Sequence, residues 1–77
     1  MRMIRLRIKE VAEAQGMSLA AVQREAKLPI STTRRYWYNS RSGLERDSGT
    51  LREINLSVLT AIARLLGVQP GDLLAEK

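Results

Sequence analysis

Leu56, Leu59, Ile62, Ala63 and Leu66 recur at the spacing of one helix face, with Asn55 placed to cap the start and Gly67 to stop the end. This run predicts an amphipathic helix that needs partners to cover its apolar side. The rest of the chain is cut into shorter pieces. Ile8, Val11 and Ala12 fall at i, i+3 and i+4, which reads as a helix of two to three turns ended by Gly16 in a left-handed cap. Ser18 can N-cap a second short helix carrying Leu19, Val22 and Ala26, which ends near Lys27 because the residue before Pro29 disfavours helical geometry. A third helix is expected over 30–38, with Thr33 and Trp37 on its inward side. Pro70 at a first helical position, followed by Asp72, Leu73 and Leu74, reads as a last turn. The expected fold is therefore all-α, a compact four- to five-helix bundle.

Two stretches fall outside this pattern. From Asn39 to Glu53 turn formers and charges of both signs predominate, which predicts a mobile loop. Met3-Ile4-Arg5-Leu6 and Leu51-Arg52-Glu53-Ile54 both alternate apolar and polar residues, which admits a small two-stranded bridge between the N-terminus and the segment before helix four. A frayed terminus is the alternative. At 77 residues the whole chain, 1–77, reads as a single domain.

What the chain lacks narrows its chemistry. It has no cysteine and no histidine, which removes disulfides, thiol nucleophiles, the usual zinc sites and the commonest general base near neutral pH. No cofactor is expected, and no enzyme activity. Glu10 and Glu13 lie at i, i+3, but they read as solvated partners for Arg7 or Lys9. No apolar run is long enough to span a bilayer, and Met1 to Leu6 lacks the pattern of a secretory signal, so the expected location is cytoplasmic.

The formal net charge of +5 is unevenly spread. Residues 1–41 hold nine basic and three acidic side chains, a net of +6, whereas residues 42–77 hold four and five, a net of −1. An anionic partner gripped by the first half is the natural reading. Two short helices joined by a tight turn, the second basic and rich in hydroxyls, suit a groove about 12 Å wide into which one helix fits.

The order of elements resembles the Cro and phage-repressor type (XRE-like) helix-turn-helix family, whose fold is the lambda-repressor-like DNA-binding domain. The likeness rests on Ile4 to Glu10 with Gly16-Met17-Ser18-Leu19, on Leu28 to Trp37, and on Ile54 to Leu59 running on to Leu66-Gly67-Val68-Gln69-Pro70-Gly71-Asp72-Leu73-Leu74. It implies a bundle that binds double-stranded DNA, commonly as a homodimer on a two-fold symmetric operator. It further implies base contacts from Arg35, Arg34, Thr32, Ser31 and Ile30, and backbone contacts from Ser18 and Leu19. Tyr36 or Tyr38 could add a phenolic hydroxyl to a phosphate, and Arg41 and Arg46 could track the backbone from a loop about ten residues longer than is common in the family. Set against these readings are a solvated helix face for Arg34 and Arg35, or an ion pair with Glu25, and a loop without DNA contact.

The chain departs from the family at four places. Gln23 stands where a small residue is usual, Lys27 where glycine is frequent in the turn, Pro29 where a capping serine or threonine is frequent, and Thr33 where an aliphatic residue is usual. A left-handed lysine costs roughly 1 kcal/mol, and a buried threonine hydroxyl needs a partner. Either local hydrogen bonds compensate or the geometry differs, with helix three starting one or two residues later. Two other functions remain open. One is a protein-interaction module such as the antitoxin of a toxin-antitoxin pair, with a protein partner at Leu44 and Leu51 or at Leu73 and Leu74. The other is single-stranded RNA binding through the aromatic cluster of Tyr36, Trp37 and Tyr38.

Overall fold

A computed structural model describes residues 4–40, 43 and 53–76. A short strand β1 (Ile4–Leu6) leads into α1 (Ile8–Ala14), α2 (Leu19–Ala26) and α3 (Ile30–Tyr38). After the connection come α4 (Leu56–Leu66), a 3-10 turn (Pro70–Leu73) and strand β2 (Leu74–Glu76). The four α-helices stand where the spacing of apolar residues places them.

Each helix end has a local cause. The Ser18 hydroxyl accepts the Ala21 N–H at 3.2 Å and starts α2. Asn55 starts α4 by accepting from Ser57 N–H at 2.8 Å and Val58 N–H at 3.2 Å, and Gly67 ends it at φ +70°. The 3-10 turn opens with Pro70 at its first position, and the Gln69 N–H donates to the Asp72 carboxylate at 3.0 Å.

The helices share one apolar cluster. Ile8 and Ala12 of α1, Val22 of α2, Tyr36 and Trp37 of α3, and Leu59, Ile62, Ala63 and Leu66 of α4 meet there with Leu6 and Leu73. Thr33 and Trp37 face inward as their spacing indicates. The Gln15 side chain ties the end of α1 to the end of α4 by donating to the Leu66 carbonyl at 2.7 Å.

The small sheet differs from the expected one. β1 pairs antiparallel with β2 at the other end of the chain, with Ile4 opposite Glu76, Arg5 opposite Ala75 and Leu6 opposite Leu74. Glu53 and Ile54 are exposed and form no strand, and Leu51 and Arg52 lie outside the described residues. The 3-10 turn explains the choice of partner. It buries Leu73 completely and lets the Leu73 carbonyl accept the Arg7 N–H at 2.7 Å, which sets the following residues alongside β1. Glu10 departs from expectation too, with its carboxylate 3.7 Å from Arg5, so it pairs across to the strand and not with Arg7 or Lys9.

Candidate nucleic-acid interface

The turn between α2 and α3 carries two of the four departures from the family pattern, Lys27 and Pro29, with Gln23 before it in α2 and Thr33 after it in α3. Lys27 adopts the left-handed conformation at φ 56°, ψ 44°, as a glycine would. Gln23 compensates from one turn back: its side-chain Nε2 donates to the Leu28 carbonyl at 2.7 Å, while its own carbonyl accepts the Leu28 N–H at 3.2 Å. A net contribution of about 0.5–1.5 kcal/mol for such a bond is of the same size as the steric cost at Lys27.

Pro29, extended at ψ 144°, precedes the first turn of α3, so the helix begins at Ile30 and not later. The buried Thr33 hydroxyl donates to the Pro29 carbonyl at 3.0 Å, and the Thr33 N–H bonds the same oxygen at 3.1 Å. The fourth departure thus supplies its own partner. Pro29 offers no capping side chain, so the leading N–H groups of α3 keep the positive end of the helix dipole uncovered by a side-chain acceptor.

Burial divides α3 into two sides. Thr33, Tyr36 and Trp37 are in the core, whereas Ile30, Ser31 and Arg34 are exposed and Thr32, Arg35 and Tyr38 are half-buried. Arg34 and Arg35 form no ion pair among the described residues, and Glu25 on α2 does not engage them. Ser18 is exposed at the head of α2, and Leu19 is half-buried against the core. Arg41 and Arg46 lie outside the described residues, as do Leu44 and Leu51.

Two readings of the aromatic cluster are corrected. Tyr36 is only 2% exposed, and its hydroxyl accepts the Asn55 N–H at 2.6 Å, so it is a strut between α3 and α4 and not a phosphate ligand. With Trp37 also in the core, the three aromatics form no stacking platform. Leu73, offered as a contact residue for a protein partner, is fully buried, whereas Leu74 is 38% exposed.

Asn39 and Ser40, assigned to the loop by sequence, are buried and close α3. Asn39 takes a left-handed cap at φ 52°, and the Ser40 N–H donates to the Arg35 carbonyl at 3.0 Å. Gly43 then lies against the helix, where a Cβ would come within 3.3 Å of Arg34 Cβ, Arg35 Cγ and the Ser31 carbonyl oxygen. Part of the side of α3 that faces away from the core is therefore covered by the chain's own backbone. No sequence signal marks this contact beyond the glycine itself.

Two short helices around a tight left-handed turn, with the second presenting arginine and hydroxyl groups outward, define a helix-turn-helix DNA-binding domain. The family described as the Cro/C1-type HTH DNA-binding domain matches residues 7–75, and the chain belongs to that family. No curated protein matches the chain, and no solved structure does. Among the described residues no helix is long and apolar enough to cross a membrane, and no group of acidic residues could hold a metal ion.

Proposed function

We propose that the protein is a sequence-specific regulator of transcription, bacterial or phage in type, that occupies an operator as a homodimer and inserts α3 into the major groove. Arg35 and Arg34 read base edges, each able to pair bidentately with guanine O6 and N7. Ser31 and Thr32 bond a base or a phosphate, and Ile30, 42% exposed at the head of the helix, meets a thymine methyl. Ser18, Leu19, Tyr38, Arg41 and Arg46 hold the sugar-phosphate backbone.

The observation that carries this reading is the pair of arginines on α3, Arg34 exposed and Arg35 half-buried, without ion-pair partners among the described residues, in a chain whose family binds DNA. A homodimer is proposed because one module of this kind buries only about 600–1,000 Å² on DNA.

Selection of bound duplexes from a random pool tests the proposal. Recovery of an inverted repeat is the expected result, and a pool that stays random after repeated rounds would refute it. Neutralising about six phosphates gives a slope near −5 for log affinity against log salt. Arg35→Ala is expected to cost about 1–3 kcal/mol on the selected duplex and far less on a random one.

One observation favours a second reading, in which the domain binds a protein partner and DNA binding is secondary. Leu56 at the start of α4 is 74% exposed, and Ile54, close in sequence, is 37% exposed, two apolar side chains that a partner would cover. Co-purification of a neighbouring gene product that is lost in Leu56→Ser would favour it. An unpartnered protein that shifts the selected duplex in a gel would count against it.

A further inference from the structure

Gly43 stands so close to α3 that a side chain there would crowd the helix. Its φ of +78° is a left-handed conformation, and an added Cβ would fall 3.3 Å from Arg34 Cβ, Arg35 Cγ and the Ser31 carbonyl oxygen, tighter than ordinary van der Waals contact. Its N–H donates to the Ser40 hydroxyl at 2.9 Å, and Ser40 is in turn bonded to the Arg35 carbonyl at 3.0 Å. Both residues are buried. The bare backbone at residue 43 is thereby held against the turn of α3 that carries Ser31, Arg34 and Arg35.

The nearest side-chain atoms, Arg34 Cβ and Arg35 Cγ, belong to the stems of the two arginines. Arg35 Nε, the first nitrogen of the guanidinium, is buried with no hydrogen-bond partner among the described residues, while Arg35 as a whole is half-buried. A long side chain with backbone packed beside its stem has fewer rotamers open to it before any ligand arrives. An arginine fixed in this way loses less entropy when it meets a planar acceptor pair such as a guanine edge.

We propose that Gly43 is a positioning residue for base reading: by lying against Arg34 Cβ and Arg35 Cγ it fixes the arginine stems in the orientation that meets the base edge. The proposal rests on the DNA-reading role given to Arg35 above, and adds that the residue setting its geometry lies outside the helix-turn-helix.

A double-mutant cycle on duplex affinity tests it, using Gly43→Asn with Arg35→Ala. Asparagine tolerates the left-handed backbone but carries a Cβ, so it separates crowding from backbone strain; Gly43→Ala imposes both. Gly43→Asn is expected to weaken binding to the selected duplex by roughly three- to tenfold, the scale of fixing one mobile side chain, with no loss on a random duplex. In the Arg35→Ala background it should have no further effect. An equal loss in that background, an equal loss on random duplex, or wild-type affinity in a folded Gly43→Asn variant would each overturn the proposal. Side-chain NMR of the unaltered protein provides a readout that does not depend on variant folding: Arg35 should show a single χ1 rotamer when free of DNA, and rotamer averaging would overturn the proposal. If Arg35→Ala itself binds the selected duplex like wild type, the base-reading role fails. If Arg35→Ala loses discrimination while the cycle shows no coupling, only the role of Gly43 fails.

Discussion

The side-chain amide of Asn39 grips both backbone groups of Leu6: its Oδ1 accepts the Leu6 N–H at 2.6 Å and its Nδ2 donates to the Leu6 carbonyl at 3.0 Å. Asn39 also ends α3 in the left-handed conformation, so one buried residue joins the close of the third helix to the first strand. Asn39→Gly keeps the backbone conformation and removes both bonds. It is expected to lower unfolding stability by about 2–4 kcal/mol, since two buried polar groups lose their partner. Asn39→Ala should cost roughly 1 kcal/mol more, because alanine does not suit a left-handed cap. Urea denaturation of the two variants checks both values and their order.

The turn between α2 and α3 gives a pair of opposite effects. Lys27→Gly removes a side chain from a left-handed position and should raise stability by up to about 1 kcal/mol. Gln23→Ala removes the bond to the Leu28 carbonyl and should lower it by about 1 kcal/mol. Thermal melts of the two variants and of their combination test the assignment. A Gln23→Ala variant as stable as wild type would show that Gln23 does not hold the turn.

Tyr36 couples the recognition helix to the start of α4 through its hydroxyl. In Tyr36→Phe the ring stays in the core while the Asn55 N–H loses its acceptor, for an expected loss of about 1 kcal/mol. Hydrogen exchange localises the effect: the Asn55 amide should exchange faster than in wild type, while amides in the middle of α1 change only with global stability.

Arg35→Lys keeps the charge but gives up the planar fork. On the selected duplex, discrimination against the wrong base should fall by about 1–3 kcal/mol at one position of the site, with the salt slope unchanged. Binding measured against a panel of single-base variants of that duplex reads both quantities. A uniform weakening across the panel would assign Arg35 to the backbone.

Much of the fold is legible in the sequence where a local cause acts. Asn55 and Gly67 mark the ends of α4, and the spacing of Thr33 and Trp37 tells the inward side of α3, whereas Pro29 leaves the start of that helix open between Ile30 and one or two residues later. Local bonds were harder to foresee at the odd positions. The sequence shows that Lys27 and Thr33 need compensation, but not that Gln23 and the Pro29 carbonyl supply it.

Long-range pairing left no local mark. Alternation made β1 a strand candidate without naming its mate, since Leu74-Ala75-Glu76 is three residues long and follows a turn whose geometry decides where it goes. The same holds for Asn39, which reads as a loop residue because its partners lie 33 positions away. Gly43 reads as one turn former among many until its neighbours on α3 are known.

The β1–β2 ribbon places residue 4 directly opposite residue 76. Segments joined ahead of residue 4 and behind residue 76 would therefore leave the fold from neighbouring points, so a fusion partner at either end meets the same surroundings.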